Sequence, residues 1–373
     1  MELDNFKKKY FDRLNALRFC AFLMVFISHI FVLKSGTSAS SWILFLTNHA
    51  RCGFLGLDFF FVLSGFLITW IIFEENYFYQ NFDWKNFFFR RTLRIWPLYF
   101  LIVLIGFSAS FYFSNSAHPL PSLIYFLSFT LNFYIVKHGA DFLFFLVFLW
   151  SIAVEEQFYI FWSLTLKFFS NHAVKICFLI LVFSLFFRYY FSNNSAMLYF
   201  HSFSVMADFA IGSLFAISAF RKNKIFVFLK SISKNYFSAI YFLLILNIFF
   251  YDRFYSNMWM IVFEKLIFST LFALIIFDQS FRKKTLQKNN FSNVINYLGK
   301  ISFGLYCYHG IVITIFSKLA AEYNFENSSI AFFILKSVLI FAVTVIVSAI
   351  SYEYFEKFFL QLKNKFYPQR HSL

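Results

Sequence analysis

Apolar runs of about 16 to 25 residues recur along the whole chain, separated by short polar segments. They lie near 14–33, 54–73, 95–113, 150–169, 174–191, 199–219, 236–251, 259–277, 297–317 and 330–355. About 20 apolar residues in a helix cross the hydrocarbon core of a bilayer, so each run predicts a transmembrane helix. The pattern therefore predicts an all-α, polytopic membrane bundle of about ten helices.

Hydropathy alone does not decide whether an eleventh stretch, 120–136, crosses the membrane, because prolines flank it and polar residues interrupt it. Positive charge decides the question. If this stretch does not span and the N-terminus is cytoplasmic, 25 of the 33 Lys and Arg residues fall on the inner side and six on the outer side. If it spans, the basic clusters at 221–234 and 282–288 face outward, against the positive-inside rule. We therefore predict that both termini are cytoplasmic and that 120–136 is re-entrant or interfacial.

The composition agrees with a membrane protein, since 60% of the residues are hydrophobic and 14% are charged. The net charge of +15 follows from the inner basic clusters, which hold the topology and contact anionic lipid. Nucleic-acid binding is therefore not the expected reason for the charge. Three of the four cysteines lie inside apolar segments, so a disulfide framework is not expected, and no spacing among them suits a metal site.

Ionisable residues inside the apolar runs are candidates for chemistry, because a charge at membrane depth costs several kcal/mol or more. Arg18 and His29 are eleven residues apart and share one face of the first helix. Counting about 1.5 Å per residue places His29, Glu155 and Asp58 at a similar depth in the outer third of the bilayer. A histidine and a carboxylate at one depth are suited to proton abstraction from a hydroxyl, which predicts a joint active site. Taken singly, each residue also fits a hydrogen-bonded packing role or the proton site of a transporter.

Two further groups of polar residues share a helix face. Arg90 or Arg91 lies three or four residues before Arg94, so two guanidinium groups can converge on a phosphorylated ligand, although an ordinary positive-inside flank explains them equally well. Ser302, Tyr306 and His309 follow i, i+4, i+7 spacing and form a polar stripe that faces the bundle. A structural role for His309 remains an alternative.

Six short motifs follow one another along the chain: Arg13 to Arg18 leading to His29, Asp58 to Phe66, Arg90 to Tyr99, Trp150 to Tyr159, Leu298 to His309, and Tyr352 to Lys357. In this order they resemble the acyltransferase 3 family of membrane O-acyltransferases. The likeness suggests a membrane acyltransferase domain at 14–358, between a cytoplasmic N-terminus at 1–13 and a cytoplasmic tail at 359–373. One departure is Asn15, where the family usually has aspartate; the amide keeps the hydrogen-bonding shape without the charge.

The resemblance implies a reaction. An acyl donor, usually acetyl-CoA, binds from the cytoplasm and acylates a hydroxyl of an extracytoplasmic or lipid-linked glycan, such as lipopolysaccharide O-antigen or exopolysaccharide. His29 is the implied catalytic base, with Glu155 orienting it or sharing the proton transfer. The coenzyme A phosphates are expected at Arg90, Arg91 and Arg94, with Arg18 as a further charge partner. The other residues expected near substrate are Asp58, Ser64, Ser151, Tyr159, Ser302, Tyr306 and His309.

Ser64 or Ser151 is a candidate for transient acylation, although direct transfer is simpler. The expected partners are acyl-CoA, the glycan acceptor and membrane lipids, without nucleic acid, and the expected location is the inner (plasma) membrane of a bacterium, crossed many times. The rival functions are a proton-coupled transporter or glycolipid flippase that uses His29, Asp58 and Glu155 as a relay, and an acyltransferase acting on a lipid or an antibiotic.

Overall fold

The computed structural model describes residues 11–32, 51–80, 82–112, 120–282, 290–323 and 330–366 of the 373. Within these ranges ten helices have 16 residues or more. They are α1 (Leu14–Val32), α2 (Leu55–Tyr79), α3 (Trp84–Tyr112), α4 (Leu149–Phe169), α5 (Ala173–Tyr190), α6 (Ser202–Arg221), α7 (Lys234–Phe249), α8 (Met258–Phe281), α9 (Ser302–Glu322) and α10 (Ile330–Ser351).

Short helical segments connect the long helices of the described chain. The α-helical ones are Leu123–Leu127, Leu131–His138, Phe144–Val147, Ser195–Phe200, Lys224–Ser231, Tyr251–Phe254, Asn290–Lys300 and Lys357–Leu362. Three 3₁₀ turns lie at Arg51–Phe54, Ser170–His172 and Lys363–Phe366, and a π-helical turn follows α10 at Tyr352–Glu356.

Eight helical stretches among the described residues are long and apolar enough to cross a membrane. The bent pair Lys224–Ser231 and Asn235–Phe249, with a 94° angle, adds a ninth if it crosses as one broken span. Two predicted spans fall within a single stretch of 47 residues, Phe144–Tyr190. At about 1.5 Å per residue this stretch is about 70 Å long, so two crossings of a core of about 30 Å fit within it. The predicted polytopic helical bundle is thereby confirmed.

The stretch at 120–136 forms two short helices of five and eight residues, Leu123–Leu127 and Leu131–His138. Phe129, between them, has a positive φ of 53°, which breaks the helix. Neither piece approaches the roughly 20 residues that a crossing needs. Gln157 of α4 donates hydrogen bonds to the Phe129 carbonyl at 2.6 Å and to Asn132 Oδ1 at 2.9 Å, so the segment is tied to the side of the bundle.

Helices α2 and α6 form the closest pair in the centre of the bundle. A Cβ atom added at Gly65 would lie 2.1 Å from the Phe209 carbonyl oxygen, and one added at Gly212 would lie 2.0 Å from that of Val62. Glycine is therefore required for the two backbones to touch. Thr69 Oγ1 donates to Ser213 Oγ at 2.9 Å and accepts from Trp162 Nε1 at 2.8 Å, which joins α4 to the same pair.

One end of the bundle, here called the basic end, is where α1 and α3 begin and where α10 runs into the segment Tyr352–Phe366. Arg90 joins these parts. It forms a buried ion pair with Glu75 of α2 and donates to the Phe366 carbonyl at 2.6 Å. His29 lies near the far end of α1, about 16 Å along the helix from Arg18.

Candidate active site

Two adjoining cavities lie among the helices that start or finish at the basic end. The larger one, here called the charged cavity, has a volume of about 470 Å³. Six basic and three acidic side chains line it: Arg18, Arg90, Arg91, Arg94, Lys300, Lys363, Glu74, Glu75 and Glu356. The smaller one, here called the inner cavity, has a volume of about 110 Å³ and shares Arg18, Arg91 and Arg94 with the first. The excess of cations suits an anionic ligand.

The arginines predicted as a phosphate site do not have equal roles. Arg90 is buried and engaged by Glu75 and the Phe366 carbonyl, so it joins α2, α3 and the C-terminal segment. Arg94 is exposed where it lines both cavities, and the Arg91 guanidinium lies 5.8 Å from the centre of the Tyr159 ring. Arg91 and Arg94 are therefore better placed than Arg90 to meet a ligand in the cavities.

Arg18 lines both cavities from α1 and donates to Asn15 Oδ1 at 2.9 Å. Asn15 is almost fully buried, and its amide oxygen accepts the bond that a carboxylate would accept at this position. The substitution of asparagine for the family's usual aspartate thus keeps the contact to Arg18 and removes one negative charge beside the cavities.

Glu155 lies on the wall of the inner cavity, in a cluster of three polar side chains from α2 and α4. Ser64 donates to Glu155 Oε1 at 3.0 Å, and Tyr159 donates to Glu155 Oε2 at 2.8 Å. The hydroxyl oxygens of Ser64 and Tyr159 are themselves 3.0 Å apart. Both carboxylate oxygens therefore have a donor, and the cluster presents a polar surface to the cavity.

Ser151 and Tyr306 lie on the boundary of the inner cavity, and their hydroxyl oxygens are 2.8 Å apart. Both hydroxyls also bond to the carbonyl of Phe148, Tyr306 at 3.0 Å and Ser151 at 3.1 Å. Ser302, one turn before Tyr306, lines the same cavity. The predicted stripe on α9 is buried, and two of its three members reach the cavity.

His29 does not line the inner cavity and contacts the ring of Phe148, whereas Ser151 and Tyr306 bond to the Phe148 backbone carbonyl. Its ring stacks on the Phe148 ring with centroids 4.1 Å apart and planes inclined by 13°. Its Nδ1 atom lies 2.9 Å from Nε2 of His309, whose ring is nearly parallel at 9°. His309 is fully buried, whereas His29 remains partly exposed.

The sequence predicts His29 and Glu155 as neighbours at one depth, but the structure gives each of them other partners. Phe148, which stacks on His29, precedes Glu155 by seven residues, about 10 Å of helix. Helical structure begins here at Phe144, six residues before the edge at residue 150 from which the depth of Glu155 is counted. Glu155 and His29 thus belong to two consecutive clusters, with Ser151, Tyr306 and Phe148 between them.

Asp58, which the sequence predicts near substrate, lies in a group of buried charged side chains. It forms a buried ion pair with Lys265 of α8, and the Lys265 ammonium lies 3.9 Å from Asp208 of α6. A second buried pair, Arg188 with Glu264 at 2.9 Å, joins α5 to α8. Asp58 does not line either cavity. Its position beside a cation explains how a carboxylate and a lysine are both accommodated in apolar helices.

The chain matches the model of the acyltransferase domain over residues 11–352. It belongs to the acyltransferase 3 family. The chain is similar to the O-acetyltransferase OatA of Staphylococcus aureus, with 30% identity over 182 residues, which are 44% of this chain and 26% of that protein. It is also similar to the peptidoglycan O-acetyltransferase OatA of Listeria monocytogenes, with 30% identity over 176 residues, 42% of this chain and 24% of that protein. The matched region thus covers about a quarter of each relative. No solved structure matches the chain.

Membership of the acyltransferase 3 family confirms the resemblance drawn from the six motifs. Family membership does not by itself identify the side-chain contacts that the structure shows. The pairing of His29 with His309 joins residues 280 positions apart, and the ion pair of Arg90 with Glu75 joins α3 to α2. In the sequence, the polar stripe on α9 is the feature that points to His309. Lys265 is indicated by its position inside the predicted span 259–277, where a charged residue is unexpected.

Proposed function

We propose that this protein is a membrane O-acetyltransferase that moves an acetyl group from acetyl-CoA to a hydroxyl of a cell-envelope glycan. The observation that carries the proposal is the sequence of sites along the bundle. A charged cavity at the basic end adjoins an inner cavity, and Tyr306 on the wall of the inner cavity bonds to Phe148, whose ring stacks on His29.

The donor binds at the basic end, which the charge distribution of the sequence places at the cytoplasm. Arg91 and Arg94 contact the phosphates of coenzyme A, because a guanidinium group binds phosphate oxygens in a bidentate manner. Arg18 adds charge from α1. The acyl arm enters the inner cavity along Glu155, Ser64 and Tyr159, and its thioester approaches the boundary formed by Ser151 and Tyr306.

The acceptor hydroxyl approaches from the opposite end, where His29 is partly exposed. For the two substrates to meet, the side chains of Ser151 and Tyr306 move apart and admit the thioester to the hydroxyl. His29 then takes the proton of the hydroxyl as the hydroxyl oxygen attacks the thioester carbonyl. The carbon–sulfur bond then breaks, and the leaving thiolate of coenzyme A takes from His29 the proton that came from the hydroxyl. The reaction therefore needs no other reactant. In this scheme Glu155 acts on the donor arm and does not orient His29.

The acceptor is proposed from the relatives. The matched protein of Listeria is named for peptidoglycan, which favours a cell-wall glycan over lipopolysaccharide or exopolysaccharide as the first acceptor to test. The proposed location is the cytoplasmic membrane, with the acceptor presented on its outer face.

The test uses purified protein in lipid nanodiscs. Calorimetry with acetyl-CoA and with a desphospho analogue measures donor binding, and isotope-labelled acetyl-CoA with peptidoglycan fragments measures transfer by mass spectrometry. We expect saturable binding of acetyl-CoA, weaker binding of the analogue, and labelled ester on the glycan. A protein that binds no acetyl-CoA but acidifies or alkalinises proteoliposomes would instead be a proton-coupled transporter. Envelope glycans of strains with and without the gene identify the natural acceptor.

A further inference from the structure

His309 is held by a hydrogen bond that fixes the position of its proton. The Nδ1 atom of His309 lies 2.6 Å from the carbonyl oxygen of Tyr306, one turn earlier in α9. A carbonyl oxygen can only accept a hydrogen bond, so Nδ1 of His309 carries a hydrogen. This assignment follows from chemistry and does not depend on seeing the hydrogen.

His309 is neutral in these surroundings. Its side chain has no solvent exposure, and the rings of Phe22 and Phe148 pack against it with centroids 5.9 and 4.9 Å away. A charge buried among apolar rings is costly unless an opposite charge compensates it. Among the described residues, the polar contacts of His309 are with the backbone of Tyr306 and Leu305 and with His29, and none of these carries a negative charge. A neutral imidazole with its hydrogen on Nδ1 has a lone pair on Nε2, which therefore accepts a hydrogen bond.

The state of His309 determines the tautomer of His29. Because Nε2 of His309 accepts, Nδ1 of His29 at 2.9 Å must donate and must carry the hydrogen. The lone pair of neutral His29 is thereby confined to Nε2. Two aromatic neighbours, Phe148 stacked on one face and Phe144 edge-on at 5.9 Å, restrict rotation of the His29 ring.

We propose that His309 is a positioning residue, which holds His29 as the Nδ1–H tautomer so that Nε2 is the atom that takes the proton of the acceptor hydroxyl. The proposal rests on the transferase function proposed above. It assigns to a second histidine the part that a carboxylate or a carbonyl commonly plays behind a catalytic histidine. It also explains how His29 is oriented without a bond to Glu155.

The first measurement is independent of activity. Nitrogen-15 NMR of histidine-labelled protein in nanodiscs distinguishes protonated from unprotonated ring nitrogens, and His29→Gln assigns the His29 signals among the eight histidines. We expect a protonated Nδ1 and an unprotonated Nε2 at His29. A proton on Nε2 or a doubly protonated ring in the wild type would overturn the proposal.

The second measurement uses two substitutions of His309. Phenylalanine keeps an aromatic ring in the stack and removes the acceptor, so His309→Phe should mix the His29 tautomers and lower kcat for transfer about 10²-fold. Glutamine places an amide oxygen near the position of Nε2, so His309→Gln should keep the Nδ1–H form and retain transfer within about tenfold of the wild type. Acetyl-CoA affinity should be unchanged in both. The control is His138→Phe, an exposed histidine on Leu131–His138, which should alter neither the tautomer nor the rate.

The outcomes separate the two proposals. If His309→Phe leaves both the His29 tautomer and kcat unchanged, His309 has no positioning role. If His309→Phe fails to insert, His309→Gln alone decides, because a loss of transfer equal to that of His29→Gln with an intact fold would also overturn it. A wild-type protein without transferase activity would overturn the proposed function, while the tautomer measurement would still settle the state of His29.

Discussion

The hydroxyl oxygens of Tyr306 and Ser151 lie 2.8 Å apart, and both groups bond to the carbonyl of Phe148, whose ring stacks on His29. These contacts place one layer of side chains between the cavity that contains Arg94 and the histidine pair. In the proposed mechanism, donor binding and proton abstraction are therefore assigned to separate groups of residues, so substitutions should affect one without the other.

His29→Gln is the first substitution that should separate the two steps. Loss of a general base typically lowers the rate about 10² to 10⁴-fold, so glycan acetylation should fall by that factor. Acetyl-CoA binding should stay at the wild-type level, because His29 does not line either cavity. Mass spectrometry of the glycan and calorimetry with acetyl-CoA measure the two quantities. Normal acetylation in a well-expressed variant would remove His29 from the mechanism.

Glu155 and the adjacent Glu156 form a matched pair for testing the inner cavity. Glu155 accepts one hydrogen bond on each oxygen, and an amide offers only one acceptor oxygen. Glu155→Gln therefore removes the carboxylate charge and reverses the direction of one of the two hydrogen bonds. Transfer should fall about tenfold or more. Glu156 accepts from Trp96 Nε1 at 3.0 Å on one oxygen, a bond that Glu156→Gln keeps. Its transfer rate should therefore stay closer to that of the wild type. Equal losses in the two variants would contradict this distinction.

The orientation of the bundle can be tested by reporter fusions. A reporter after residue 225, in Lys224–Ser231, should be cytoplasmic, and one after residue 139, beyond Leu131–His138, should be external. This follows from the concentration of Lys and Arg at the basic end. Reversed signals at both positions would place the charged cavity outside the cell and remove the cytoplasmic route for the donor.

The sequence predicted the parts of this protein that depend on local pattern. Apolar runs gave the helices, and the charge balance kept 120–136 from being a span. Spacing also gave the face that Ser302, Tyr306 and His309 share. The helix signals are local because a helix repeats every 3.6 residues, whereas the charge balance that argues against a span at 120–136 is summed over the whole chain.

Contacts between helices could not be predicted in the same way. Depth along a helix says nothing of which face meets which neighbour, so His29 was paired with Glu155 and not with His309. Likewise, Arg90 and Arg91 are adjacent in sequence, yet Arg90 is paired with Glu75 and lines only the charged cavity, whereas Arg91 lines both cavities. Only the packing of α2 and the C-terminal segment against α3 distinguishes them.

The buried pair of Lys265 with Asp58 should contribute to stability. Removing one partner leaves a charge buried without compensation, which typically costs about 3–5 kcal/mol, so Lys265→Met should lower the thermal stability strongly. The double variant Lys265→Met/Asp58→Asn removes both charges and should recover part of the loss. Thermal unfolding in detergent measures each variant. A Lys265→Met protein as stable as the wild type would show that the pair contributes nothing.

The last prediction separates the arginines of α3. Arg94 is exposed to both cavities, so Arg94→Ala should weaken acetyl-CoA binding about 10 to 100-fold, the effect of losing a charged hydrogen bond of about 1.5–3 kcal/mol. Arg94→Lys should be intermediate, because a lysine keeps the charge and loses the bidentate geometry. Arg91→Ala should behave like Arg94→Ala.

Arg90→Ala is the matched control. It removes the ion pair with Glu75 and the bond to the Phe366 carbonyl, so its main effect should be a lower Tm, and the donor affinity of the folded fraction should change less. Calorimetry with acetyl-CoA and thermal unfolding on the same preparations give both quantities. If Arg90→Ala weakens the donor as much as Arg94→Ala without loss of Tm, the phosphate site includes Arg90 and the ion pair is not its main role. If neither Arg91→Ala nor Arg94→Ala changes donor affinity, the cavities at the basic end do not bind the donor phosphates.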